Sequence, residues 1–459
     1  MARKEEIMKN YKRFIVLLIA LLVFNSVYVL AESQVFTGLG HGHNGDVKVD
    51  VVFGEDGSIE EVTLAEQAET PHIAQIALDS VPGWIVEYNS VAVDTVAGAT
   101  MTSRAIINGV RDAISQAGYD EANYKKEMPK ENEKISLETD VVIVGAGGAG
   151  LSAAIEAAQA GARVLVVETN AYAGGASKFA LGMVLYAADE EEASANKALT
   201  AEQLCAGIQE HNAEHANAEL LLDYLKHSKE NVEWLTSMCP EGTYVVQYAP
   251  GNYPTGGMEA ADYTYATVNA SESDPGMYYI DALYAAAQNA GVEFLLSTTA
   301  DEILTNDGIV CGIHAAGQNG NDYTIAAQKV ILACGGYGGN YNMMLETSNM
   351  DRPFYLGPTS NKGFGILAAE ELGAKVEINP MVVLEGFGQD VYSTYGGLVV
   401  NIDAEVLSEN DEAIENLYAA GEISCVQIVD PDHFVGGENL SWNIYSGRIA
   451  GRNAAKTQG

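Results

Sequence analysis

The chain has 459 residues, 47% hydrophobic and 19% charged, enough for roughly two to four domains with proper cores and incompatible with a disordered or fibrous polymer. A formal charge of −39 argues against nucleic acid as a partner, because phosphate backbones are bound through an excess of Lys and Arg. The five cysteines (Cys205, Cys239, Cys311, Cys334 and Cys425) are widely spaced with no CxxC or CxxCH, which indicates no disulfide framework, zinc knuckle or attached haem.

Residues 1–31 read as an export signal. Arg3, Lys4, Lys9, Lys12 and Arg13 precede the apolar run Phe14–Phe24, and Val29-Leu30-Ala31 supplies a small-residue cleavage site; a retained membrane anchor or a buried element are the alternatives. No other apolar run is long enough to span a bilayer. Residues 32–117 are expected to form a compact α+β unit. Lys48–Phe53 and Ser58–Thr63 alternate as strands around an Asp56-Gly57 turn, and Ile106, Ile107, Val110 and Ile114 at helical spacing predict a closing helix over Thr102–Ala117. Residues 118–136 are polar, carry Lys125, Lys126, Pro129 and Lys130, and read as a linker without core residues.

A nucleotide-binding fingerprint follows. Val141–Val144 predict a buried parallel strand; Gly145 permits a tight turn, Gly147 a close approach of a pyrophosphate, and Gly150 close packing of the next helix. The diphosphate then sits on a helix N-terminus. Arg163–Glu168 reads as the second strand, and the Glu168 carboxylate suits ribose hydroxyls and repels a 2′-phosphate, which favours FAD or NAD over NADP. Later strands do not appear until Lys329–Cys334. The nucleotide domain therefore comprises residues 137–187 and 300–459, interrupted by an insertion over 188–299 that is helical, then rich in tyrosine and glycine, then helical again. Thr299–Ala326 predicts a meander with turns at Asp307-Gly308 and Asn319-Gly320.

Asp94-Thr-Val-Ala-Gly-Ala-Thr100-Met-Thr-Ser103 is a small-residue turn leading into a helix, a shape that exposes one hydroxyl; the plainer alternative is a Ser/Thr helix cap. It resembles the flavinylation motif of FMN-binding domains, in which the threonine of Gly-Ala-Thr carries FMN through a phosphoester. The resemblance implies that Thr100 is the attachment residue, that Asp94 positions the metal-dependent chemistry of a flavin transferase, and that Gly98 and Ala99 keep the approach clear. Gly40–Gly45, with His41 and His43, and Gln67–Pro71 are similar to other landmarks of that domain; the histidines are left unassigned.

From Leu137 onward the chain resembles the flavoprotein subunit of fumarate reductase and succinate dehydrogenase, especially single-chain fumarate or urocanate reductases that carry an FMN-binding domain. The matching segments are Gly174–Lys178, Ala180–Met183, Val330–Gly336, Leu417–Glu422, Gly436-Gly437 and Ser446–Gly451. The implied architecture is α/β, a Rossmann-like FAD-binding domain with an inserted α+β capping domain over 188–299 that closes on substrate, preceded by a small α+β FMN-binding domain. The implied non-covalent FAD site comprises Gly145, Gly147, Gly150, Glu168, Gly174, Gly175, Ser177, Gly182, Met183, Gly335, Gly336, Glu422, Gly436 and Gly437. The implied partners are a small organic acid substrate and a membrane-associated electron donor.

The family pattern breaks where hydride transfer to an unsaturated acid needs a carboxylate clamp and a proton donor. The family's His-Pro becomes Asn379-Pro380, a second histidine aligns with Ser393, the carboxylate-binding arginine aligns with Phe434, and the segment holding the proton-delivering arginine is missing between Gln389 and Tyr395. Beyond the signal only Arg104, Arg111, Arg163, Arg352, Arg448 and Arg452 remain, so Arg352 and His433 are the weak catalytic candidates and a dicarboxylate is disfavoured. His211-Asn-Ala-Glu-His215 mimics a zinc-peptidase helix but lacks a third-ligand region, and no metal is expected. Tyrosines 244, 248, 253, 263, 265, 278 and 279 either line a pocket for a planar acid or simply pack. The leading expectation is an exported two-flavin reductase acting on CH–CH bonds; a surface electron carrier or an internally deleted inactive relative are the alternatives.

Overall fold

A computed structural model describes residues 34–180, 182–196, 199–211, 215–241, 243–249, 263–268, 275–348, 350–378, 390–429 and 437–456. The expected export signal lies outside them. The chain divides into two units, one reaching to Thr95 and resuming over Ala99–Met128, the other made of Val96–Gly98 and the chain from Pro129 onward.

The smaller unit is an antiparallel meander of β1 (Val35–His41), β2 (Asp46–Phe53) and β3 (Ile59–Glu66), with α1 (Pro71–Tyr88) and α2 (Thr100–Gln116). In β2 the period-2 pattern buries Val47, Val49, Val51 and Phe53. Helix α2 lies close against β1 because two strand positions lack side chains: a Cβ on Gly38 or Gly40 would fall 1.8 Å from the Gly109 carbonyl or 1.9 Å from that of Ala105. The expected linker is not free of core residues. Tyr119 and Tyr124 pack edge-on against Phe53 with ring centroids 5.0 and 6.4 Å away, and the Tyr124 hydroxyl donates to the Gly57 carbonyl at 2.5 Å. The first part of that segment belongs to this unit.

The larger unit contains β4 (Lys134–Val144), α3 (Gly148–Gln159), β5 (Val164–Val167), β6 (Val184–Tyr186), α4 (Ala201–His211), α5 (Ala218–Thr236), β7 (Tyr244–Ala249), β8 (Tyr263–Val268), α6 (Pro275–Asn289) and β9 (Glu293–Leu295). It continues with β10 (Thr298–Asn306), β11 (Ile309–Gly317), β12 (Asp322–Leu332), β13 (Glu405–Leu407), β14 (Ala413–Ala419) and α7 (Glu438–Ala454). The main sheet runs β10-β11-β12-β4-β5-β9, with β14 parallel to the end of β12 and β13 antiparallel to β14. Val141–Val144 are all buried, as a parallel strand covered on both faces requires. The strand expected at Lys329–Cys334 is the last part of β12, whose first part closes the predicted meander against β11.

Helices of the expected capping segment share apolar cores with strands and helices of the nucleotide domain. Leu220, Leu221, Tyr224 and Leu225 of α5 share one core with Val142, Val144, Leu332 and Trp442, while Tyr279, Ile280 and Leu283 of α6 share another with Ile143, Leu151 and Ile155. Strands β6, β8 and β7 form a separate antiparallel sheet. Helix α7 crosses α3 where Gly447 and Gly451 face it: a Cβ there would meet the Ala149 and Ala153 carbonyls at 2.3 and 2.2 Å. Arg448, 5% exposed, donates to Glu156 of α3 at 2.6 Å and to Asn231 of α5 at 2.5 Å, and stacks over Trp234; Arg452 adds a second bond to Glu156 at 2.8 Å. The Arg448 guanidinium thus ties three helices together beside one buried, paired carboxylate.

On the antiparallel strands His314 of β11 lies between Asp301 of β10, with Nδ1 2.5 Å from Oδ1, and Asp322 of β12, which faces Nε2. Hydrogen bonds to both carboxylates hold the imidazole above its ordinary value of 6.5. The protonated form therefore favours the folded state, fully below that ordinary value and decreasingly as pH rises through the higher folded one. The urea midpoint of the native protein is expected to exceed that of His314→Asn at pH 5.5, and the gap is expected to narrow at pH 9. A gap independent of pH would rule the effect out.

Candidate functional site

The fingerprint residues converge at the carboxyl end of β4. Gly145 has φ +104°, and a Cβ on it would sit 2.4 Å from the Ala333 carbonyl. A Cβ on Gly150 would sit 1.9 Å from the Gly145 carbonyl, so glycine is needed there for helix–strand packing. Gly147, the N-cap of α3, differs: a Cβ there meets nothing nearer than the Gly174 carbonyl at 3.8 Å. The chain's own packing does not require glycine at 147, and the space left open lies in front of the α3 N-terminus, where unpaired backbone N–H groups and the helix dipole favour an anion. That opening is the observation that fits a dinucleotide.

Glu168, 4% exposed, directly follows β5 and accepts from the Ala146 and Asn170 amides, both at 2.8 Å. Burial pushes its carboxyl up and the amide donors oppose that. Gly174 donates to the Ala146 carbonyl at 2.8 Å and bridges to Gly147; Gly175, with φ +51°, opens the short helix carrying Ser177. The Ser177 hydroxyl is within 3.4 Å of the Gly148 amide and 3.3 Å of Asn443 Nδ2, which links the α3 N-terminus to α7.

A second group forms around the end of β12. Glu422 accepts from the Thr394 amide at 2.7 Å and its hydroxyl at 2.8 Å, and burial again pushes the carboxyl up. A Cβ on Gly336 would lie 1.9 Å from Thr394 Oγ1 and 2.5 Å from Glu422 Oε1, while Gly335 has φ +75°. Gly437, with φ +87°, caps α7 and accepts from the Leu185 amide at 3.1 Å, which places it against Met183; Gly182 has φ +68°. The Trp442 indole donates to the Gly421 carbonyl at 3.1 Å and anchors the turn before Glu422. Gly436 and His433 lie outside the described residues, as do Asn379-Pro380, Gln389, Phe434 and the middle of the His211–His215 motif.

Sequence reasoning missed Thr394 and Asn443. Each reaches its partner across a long stretch of chain, and no local pattern marks it. Arg352 is exposed and makes no ion pair among the described residues. Among those residues there is also no cluster of His, Cys, Asp or Glu able to hold a metal ion, and no helix long and apolar enough to cross a membrane.

In the smaller unit α2 begins at Thr100 rather than Thr102. Its N-cap is Ala99, without a side-chain cap bond; the Ser103 hydroxyl donates back to the Ala99 carbonyl at 2.9 Å and Thr102 donates to Glu69. The cap alternative for Thr100 therefore fails. Its hydroxyl, half-buried at the first helical position, makes no hydrogen bond among the described residues. Gly98 is exposed with φ +83°, and Ala99 is buried. The Asp94 amide donates to Met128 Sδ at 3.3 Å. The expected clear approach at Gly98 is not found, since a Cβ there would fall 2.7 Å from the Tyr172 ring and the Tyr172 hydroxyl donates to the Gly98 carbonyl at 3.3 Å; the unbonded Thr100 hydroxyl is the feature that suits a tethered group.

Residues 140–384 and 387–431 match the FAD binding domain family, and residues 42–115 match the FMN-binding domain family. The chain belongs to the fumarate reductase and succinate dehydrogenase flavoprotein family, in a form carrying an FMN-binding domain. This flavoprotein is 28% identical over 327 residues to the urocanate reductase of Eggerthella lenta, covering 68% of this chain and 51% of that protein. It is 25% identical to the NADH:acrylate oxidoreductase of Vibrio harveyi, covering 70% of this chain and 37% of that one. The flavoprotein thus spans about half or less of the length of these relatives. Among solved structures, the open conformation of a flavocytochrome c3 fumarate reductase superposes with a TM-score of 0.59 at 20% identity, covering 70% of this chain and 78% of that one, a likeness of fold.

Proposed function

We propose that the protein is an exported reductase that uses two flavins to reduce the activated double bond of a small unsaturated organic acid. The observation that carries this reading is the presence on one chain of a dinucleotide cradle with an open Gly147 and a free Thr100 hydroxyl in a flavinylation motif. Bound flavins supply electron storage and hydride delivery. Thr100 tethers the FMN; the α3 N-terminus, Glu168 and Ser177 hold the FAD diphosphate and ribose; Glu422, Gly336 and Gly437 shape the ring end.

A monocarboxylate suits the chain better than fumarate. Arg448 and Arg452 are committed to Glu156 and Arg163 pairs with Asp140 at 2.9 Å, so among the described residues of the larger unit Arg352 is the one guanidinium without an ion pair, where two carboxylates call for several. Relatives named for fumarate stand beside those named for urocanate and acrylate, so the preference for a monocarboxylate rests on the arginines alone. Anaerobic reduction of the holoprotein followed by a panel including urocanate, acrylate and fumarate tests the reading: flavin absorbance is expected to return with monocarboxylates. Failure of every acid to reoxidise the protein would favour a second reading, a surface electron carrier without its own substrate, for which the exposed Arg352 and the missing clamp speak.

A further inference from the structure

The smaller unit buries one carboxylate that the reading above leaves unused. Glu69, on the segment before α1, is 4% exposed. Its Oε1 accepts from the Asn44 amide at 2.8 Å and its Oε2 from the Thr102 hydroxyl. A Cβ on Gly42 would fall 2.6 Å from Oε1, so the loop between β1 and β2 lies directly on the carboxylate. Asn44 returns two bonds to the Glu69 segment, to the Ala68 carbonyl and the Thr70 hydroxyl, both at 3.1 Å. One side chain therefore ties together the β1–β2 loop, the approach to α1 and the first turn of α2. Thr102 stands two residues beyond Thr100 on that turn, and α2 has no side-chain cap of its own.

The carboxylate is held in its accepting state. Burial pushes Glu69 up, but bonds from Thr102 and from the Asn44 and His43 amides outweigh it and leave the group below its ordinary value. The Thr102 hydroxyl must then be the donor, which fixes its rotamer and, with it, the pitch of the turn.

Resting on the assignment of Thr100 as the FMN attachment residue, we propose that Glu69 is a positioning residue for flavin attachment, holding the first turn of α2 through Thr102 so that the Thr100 hydroxyl is presented to the flavin transferase. In that transfer Thr100 Oγ bonds to the FMN phosphorus of FAD, the P–O bond to AMP breaks, AMP leaves with the electron pair, and the hydroxyl proton passes to a base on the transferase. No oxidant or reductant is needed. Glu69 acts by geometry, since misplacement of a nucleophile by about 1 Å costs on the order of a hundredfold in rate.

The test uses the full-length protein, a magnesium-dependent flavin transferase and FAD, with attachment followed by intact mass and mapped by peptide. Glu69→Ala and Thr102→Val are expected to lower the maximal transfer rate at least about tenfold while leaving the KM for the acceptor protein within about twofold. Glu69→Gln, which keeps an acceptor for Asn44 and an amide for the Thr102 oxygen, and Thr102→Ser, which keeps the hydroxyl, are expected to restore most of that rate. Should Glu69→Ala fail to fold, judged by circular dichroism, Thr102→Val carries the decision. Native transfer rates in both disruptive variants, or a Thr102→Ser protein as slow as Thr102→Val, would overturn the positioning role. FMN attached elsewhere than Thr100, or not at all in the native sequence, would remove the attachment reading on which it rests.

Discussion

Replacing Thr100 with valine is expected to abolish covalent FMN while leaving FAD content and folding unchanged. Valine keeps the shape of threonine but offers no oxygen to phosphorus. The helix loses nothing, because its N-cap is Ala99 and the Thr100 hydroxyl serves no bond among the described residues; the stability change is expected to stay within about 0.5 kcal/mol. Intact mass measured after co-expression with a competent transferase decides the matter, with FAD released by denaturation as the internal control. Serine at the same position keeps a nucleophile and is expected to retain attachment. A Thr100→Val protein still carrying one FMN would show that the tether lies elsewhere.

The second large effect separates two glycines three residues apart. Gly147→Ala is expected to fold normally, since its Cβ meets nothing closer than 3.8 Å, and yet to bind FAD on the order of a hundredfold more weakly, about 2.7 kcal/mol, because the methyl group enters the space in front of the α3 N-terminus. Gly150→Ala places its Cβ 1.9 Å from the Gly145 carbonyl, so the helix must move away from the strand, and about 1–3 kcal/mol of stability is expected to be lost even without cofactor. Thermal unfolding with and without added FAD distinguishes them. The first variant should match the native apo-protein and respond less to FAD; the second should melt earlier in both conditions. Equal apo stabilities for the two would contradict the packing argument.

The contrast between those glycines also explains what was legible in the sequence. Strand, turn and helix around Gly145–Gly150 follow from constraints acting over a few residues, and the turns at Asp307-Gly308 and Asn319-Gly320 are found, with positive φ at Asp307, Gly308 and Gly320. The close helix crossing at Gly447 and Gly451 was present as a matching segment, though its partner carbonyls were not. Helix α1 carries a buried Pro82 in its middle and still continues to Tyr88, tertiary packing overriding local preference, which is why no periodic pattern marks it. Strand β9 is three residues long, too short for periodicity to register. The place of α5 and α6 between the halves of the nucleotide domain suggests a cap, while the destinations of their apolar faces depend on partners such as Trp442 and Ile155, far away in the chain. Thr394 was invisible for the same reason: its hydroxyl matters only because folding brings Glu422 to it.

Strand β12 serves two masters along its length. Its first half is zipped antiparallel to β11, its second half lies parallel to β14, and β4 runs beside nearly all of it. Slipping it by one residue would turn every side chain to the opposite face and displace the Ala333 carbonyl against which Gly145 turns. The outlying ribbon is thereby chained to the turn at Gly145, and its tip at Gln318–Asn321 is itself tied down through Lys130, Glu131 and Glu133.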